Sequence, residues 1–107
     1  MKKMYLSSLA LLAASALPIS AVAAGDAAAG KTKAFTCMGC HGIPSYYNVY
    51  PSYHVPKLGG QHANYIAAAL QAYKSGQRRH STMRAQAANL SEQDMQDLAA
   101  FFAQSGN

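Results

Sequence analysis

Cys37-Met38-Gly39-Cys40-His41 constrains this chain more than any other stretch of it. The pattern is that of c-type haem attachment. Two thiols must reach the two vinyl groups on one edge of a porphyrin, and a two-residue gap allows that. The next residue, His41, then swings its imidazole under the iron. Thioether bonds prevent loss of the cofactor, which suits an exported protein. Rival uses of a Cys-x-x-Cys pair fit less well. A thioredoxin-like pair needs a βαβ context, and none is legible. A zinc site needs further ligands, and His54 and His62 form no convincing set with the cysteines. These two cysteines are the only ones in the 107 residues.

The first residues read as an export signal. Lys2 and Lys3 are followed by an apolar run from Leu6 to about Leu17, then Pro18 and Ser20, then the small residues Ala21 to Ala24. That is the layout of a secretory signal peptide. The apolar core is short for a membrane span of ~20 residues. The expectation is therefore a signal peptide over 1–24, cleaved after Ala24 with Ala23 as the competing position, and one domain over 25–107. The product would be periplasmic and would keep no stable membrane anchor. Cleavage after Ala24 leaves 83 of the 107 residues. A chain so small buries a modest fraction of its surface and needs a staple. A Cys37–Cys40 disulfide would close only a tiny loop, whereas one haem bound to both cysteines would supply the missing core.

Charge narrows the partners. Beyond Ala24, seven cationic residues (Lys31, Lys33, Lys57, Lys74, Arg78, Arg79, Arg84) oppose Asp26, Glu92, Asp94 and Asp97, a net charge of +3. Much of the positive charge lies between Lys74 and Arg84, either as a solvated face or as a surface that steers an acidic partner. It is too weak and local for nucleic acid, and no nucleic-acid motif accompanies it.

The rest reads as all-α, with three or more short helices around the haem. Asp26 is a plausible N-cap for a helix from Ala27 to about Phe35 or Thr36, which delivers the chain into the motif. Pro44, Pro51 and Pro56 make 42–60 irregular, with no convincing strand. Tyr46, Tyr47, Tyr50 and Tyr53 crowd this stretch without period, as a loop over an apolar object would. A second helix spans about His62 to Lys74, burying Ile66, Ala69, Leu70 and Tyr73, with Gly76 as its stop. A third starts at Ser91 with Asp94 in a capping-box-like pair, and buries Met95, Leu98, Ala99 and Phe102. The stretch Gln77 to Leu90 between them reads as a polar loop.

A pure electron carrier fills both axial positions of its haem. Beyond His41 the candidates are Met83, Met95, His54, His62 and His80. Met38 lies inside the attachment turn and cannot reach the opposite face. Met95 belongs to the apolar stripe and reads as core. Met83 stands in a polar loop, off any helical stripe, with enough chain after His41 to cross to the other face. It is the expected sixth ligand. His80, its main rival, reads as an exposed polar histidine.

Taken together, the chain resembles the small class I c-type cytochromes of bacterial periplasms, including monohaem carriers and the repeated halves of dihaem ones. The resemblance rests on Gly25-Asp26 through Gly30-Lys31, Cys37 to His41, Pro56-Lys57-Leu58-Gly59-Gly60-Gln61, Tyr73-Lys74-Ser75-Gly76, and Met83 followed by Ala87-Ala88-Asn89-Leu90-Ser91. It implies the class I cytochrome c fold. It also implies that the Pro56 carbonyl accepts a bond from the far nitrogen of His41, that Leu58 presses on the haem face, and that Met83 is the sixth ligand. The tyrosine-rich stretch 43–55 departs from the family's short Gly/Asn-rich turn. Its rings fit a haem-edge cover, propionate partners or a docking surface.

The expected function is one-electron transfer between membrane or periplasmic redox proteins, with no catalysed reaction, by a monomer or a subunit of a complex. The alternatives are a dedicated cytochrome subunit of a periplasmic oxidoreductase, or a haem enzyme or gas sensor with an open iron site.

Overall fold

A computed structural model describes residues 24–106. Apart from Ala24, the signal peptide expected over 1–24 lies outside the described residues. Five helices and one small hairpin follow in order: α1 Ala27–Lys33, α2 Phe35–His41, β1 Tyr47–Asn48, β2 Tyr53–His54, α3 Ala63–Ser75, α4 Ser81–Ala87 and α5 Glu92–Gln104. None of the described helices is long and apolar enough to cross a membrane.

Local chemistry sets most of the helix ends. The Asp26 carboxylate accepts bonds from Ala28 N–H at 2.9 Å and Ala29 N–H at 3.4 Å, which caps α1. Ser91 and Asp94 complete a capping box at the start of α5, with mutual bonds of 2.9 and 3.0 Å. Gly76 closes α3 at φ 84°, a left-handed conformation that costs glycine nothing.

The core lies where α3 and α5 meet the α1–α2 junction. Ala34, Ile66, Ala67, Leu70, Met95, Leu98, Ala99 and Phe102 form one buried cluster. The expected α5 stripe is buried in full. On α3, Ile66 and Leu70 are buried, whereas Ala69 and Tyr73 are half-buried. Each fully buried large side chain contributes on the order of 1.5–3 kcal/mol.

Backbone meets backbone where α1 crosses α5. A methyl group placed on Gly30 would lie 2.6 Å from the Asp97 carbonyl carbon and 2.8 Å from Phe101 Cβ. Asp97, buried beside this crossing, ties it together. Its carboxylate accepts from Asp26 N–H at 2.8 Å and from Gln93 Nε2 at 3.0 Å, and pairs with Lys33 Nζ at 2.6 Å. Lys33 also reaches Asp94 at 2.8 Å.

Three expectations need correction. The first helix does not run to Phe35 and end before the motif. It stops at Lys33, turns at buried Ala34, and resumes as α2, which carries the motif itself. The backbone ladder is nearly unbroken there, with Ala34 N–H to Gly30 O at 2.8 Å and Met38 N–H to Ala34 O at 3.0 Å. The tyrosine-rich stretch is not strand-free, because Tyr47 pairs with His54 and Asn48 with Tyr53 in an antiparallel hairpin. Two residue pairs are too few for an alternation to show in sequence. Finally, Gln77 to Leu90 is not all loop. It contains α4, on which Met83 and fully buried Ala87 lie one turn apart on the inward side. Met83 is thus on a helical face, though one of only two apolar positions.

Candidate functional site

The motif residues owe their placement to α2. Cys37 and Cys40 stand three residues apart on a helix, so their side chains share one side. Both are half-buried free thiols. Burial pushes the Cys37 thiol above its usual range. His41 ends the helix, and the chain turns away at Gly42, whose N–H bonds the Met38 carbonyl at 3.1 Å.

His41 Nδ1 lies 2.8 Å from the carbonyl oxygen of Pro56. A proline carbonyl can only accept, so Nδ1 carries the proton and Nε2 keeps its lone pair. That tautomer leaves the Nε2 lone pair free for a ligand role. Fifteen residues separate the partners. The intervening chain is held by the hairpin, which continues into a bond from Val55 N–H to Tyr46 O at 2.9 Å.

Cys37, Leu58 and Met83 come from three separate segments, yet all pack against the same buried cluster. Met95 is almost wholly buried within it, as a core methionine. His54 lies on the hairpin with its ring 4.8 Å from that of Tyr47, and His62 is exposed at the N-terminal end of α3.

His80 departs from expectation. It is half-buried rather than exposed, and it caps α4, its Nδ1 accepting from Met83 N–H at 3.3 Å. Its ring meets Tyr53 edge-on at 4.5 Å between centroids, and Tyr73 at 6.3 Å. An aromatic site assembled from three segments leaves no local trace in the sequence.

The cationic stretch divides on inspection. Arg78 lies over the ring of Tyr73 at 4.9 Å and donates to the Tyr65 hydroxyl at 3.1 Å. Lys74 Nζ donates to the Leu90 carbonyl. Arg79 and Arg84 are exposed.

These residues fit a covalently held haem. Two thiols, an imidazole with its far nitrogen already engaged, and a thioether on another segment make a suitable donor set. Of the ten buried apolar side chains among the described residues, four are alanines, so the protein's own core is thin. Also among them, no group of three or more His, Cys, Asp and Glu is placed to hold a bare metal ion.

The family described as Cytochrome c matches residues 27–105. Cytochrome c4 of Pseudomonas aeruginosa is 41% identical over 103 residues, covering 96% of this chain and 48% of that protein. Cytochrome c-554(548) of Halomonas halodenitrificans is 42% identical over 82 residues, covering 74% of this chain and 95% of that protein. Among solved structures, a thiosulfate dehydrogenase from Marichromatium purpuratum superposes with a TM-score of 0.63 at 31% identity, covering 85% of this chain and 22% of that one. The chain spans about half the length of the cytochrome c4 relative and nearly all of the c-554(548) one.

Proposed function

The chain belongs to the cytochrome c family, and from that premise we propose that it carries single electrons between redox proteins outside the cytoplasm. Its fold is that of the class I cytochromes c, and Cys37 and Cys40 are the residues that attach haem c. Once bound, the haem supplies a ferrous–ferric couple whose potential depends on its axial ligands.

The chain's own residues do the rest. His41 is the proximal ligand in this reading. The bond from its Nδ1 to Pro56 fixes the ring's orientation and increases its basicity. Leu58, packed against the buried cluster, would press on the haem. Met83, carried on α4, would hold the iron through its thioether and leave no open position for a substrate. The His41–Pro56 bond carries this reading, because it turns the residue after Cys40 into an oriented ligand. Export to the periplasm is the reading drawn from the signal-peptide layout of residues 1–24, and covalent attachment suits it, because an exported carrier then keeps its cofactor.

A redox titration of the purified holoprotein tests this. A reversible one-electron curve is expected, with slow binding of carbon monoxide to the ferrous form at neutral pH. Rapid carbon monoxide binding would instead identify an open site and an enzyme or gas sensor.

Service as a cytochrome subunit of a larger oxidoreductase is the second reading. It draws on the likeness to the thiosulfate dehydrogenase and on the apolar hairpin tip, where Tyr47, Val49 and Tyr50 are 63%, 65% and 92% exposed. A partner that stays bound through purification from the native host would favour it.

A further inference from the structure

The tyrosine-rich hairpin and His80 converge on the first turn of α4, two residues before Met83. On the α4 side, His80 Nδ1 accepts from the Met83 backbone N–H at 3.3 Å. From the hairpin, Tyr53 packs edge-on against the His80 ring at 4.5 Å, and its hydroxyl donates to Thr82 Oγ1 at 3.1 Å. From α3, Tyr73 flanks the same ring at 6.3 Å. Three elements therefore fix His80 and Thr82, both just before Met83, together with the backbone nitrogen of Met83 itself.

The helix they begin is seven residues long, too short to hold itself in water. Histidine is not among the favoured N-caps, which are short side chains that reach the backbone without help. Here the longer ring works because two tyrosines restrict its rotation. The cluster thus makes one specific conformation of a weak segment persist.

We propose that His80 and Tyr53 are positioning residues for Met83, holding its backbone so that its thioether stays on the iron. This rests on the reading of Met83 as the sixth ligand. It assigns part of the unusual tyrosine-rich stretch to the ligand segment rather than to a docking surface. The hold is local: losing it frees the first turn of α4 and lets an external ligand compete with the thioether, while the α1–α5 crossing stays intact.

The test is the affinity of imidazole for the ferric holoprotein, followed optically, with the thermal midpoint measured on the same samples. His80→Ala should tighten imidazole binding about five-fold, the shift that loss of an N-cap bond typically brings. Tyr53→Phe, which keeps the ring and removes only the hydroxyl, should move it in the same direction. His80→Asn restores a capping side chain and should return the affinity to within about two-fold of the parent. Should His80→Ala fail to take up haem, Tyr53→Phe and His80→Asn still decide the matter. Residues that merely stabilised the fold would lower the thermal midpoint and leave the imidazole affinity alone, and that result overturns the proposal. Met83→Ala separates the two levels. If it binds imidazole far more tightly than the parent while Tyr53→Phe and His80→Ala do not, the ligand assignment stands and the positioning role falls. If Met83→Ala and the parent bind alike, the ligand assignment falls and takes the proposal with it.

Discussion

Gly30→Ala offers a test in which two effects have opposite signs. In an exposed helix, replacing glycine by alanine stabilises by about 1 kcal/mol. At position 30 the new methyl would sit 2.8 Å from Phe101 Cβ and 2.6 Å from the Asp97 carbonyl carbon, and closer still to the carbonyl oxygen. The obstacle is mainly α5 backbone, which cannot swing aside as a flexible side chain would. The helices must separate, and overpacking of this kind costs about 1–3 kcal/mol. With the upper end of that range and the propensity gain set against it, the net loss is about 2 kcal/mol. For a domain of this size, that lowers the thermal midpoint by about 8–16 °C. Thermal unfolding of the holoprotein, followed by far-ultraviolet circular dichroism, measures it. Gln71→Ala is the comparison, since residue 71 is exposed on α3 and alanine is the better helix former. That variant should match or slightly exceed the parent. An unchanged or raised midpoint in Gly30→Ala would refute the backbone-to-backbone crossing.

Acid should act through the same crossing. Hydrogen bonds from Lys33 and Ser91 hold Asp94 down at about 2, and those from Asp26 N–H, Lys33 and Gln93 hold Asp97 at about 2. Folded values below the unfolded ones mean stability that is complete above about pH 4 and lost as pH falls towards 2. Denaturation midpoints from pH 7 to pH 2 should therefore be flat first and then fall, and Asp97→Asn should flatten the fall; a steady decline starting at pH 6 would contradict the assignment. Leu98→Ala, at the centre of the cluster at 1% exposure, should cost about 2–5 kcal/mol in chemical denaturation of the holoprotein. A loss below about 1 kcal/mol would mean that the core lies elsewhere.

Much of this architecture was legible in the chain because its signals are local. The Asp26 and Ser91 caps, the Gly76 stop and the stripes of α3 and α5 each lie within a few residues of what they determine. So does the attachment motif, whose chemistry dictates its spacing. Other features have no such trace. A seven-residue helix with two inward apolar positions has no period to detect, so α4 reads as loop. The Lys33–Asp97 and Asp26–Asp97 contacts join residues 64 and 71 apart. His80 reads as polar and solvated because the rings that enclose it, Tyr53 and Tyr73, come from other elements. Gly30 carried a hint, since a glycine inside a helical stretch often marks close packing, but nothing in the sequence says that α5 is what it meets.

The ferric holoprotein's absorption near the red end of the spectrum, compared with that of Met83→Ala, bears most directly on the central claim. An iron held between His41 and the Met83 thioether gives a weak band there that belongs to iron–sulfur ligation, and the substitution removes it while the haem stays covalently bound. A parent protein without that band, or a Met83→Ala variant that keeps it, would contradict the account.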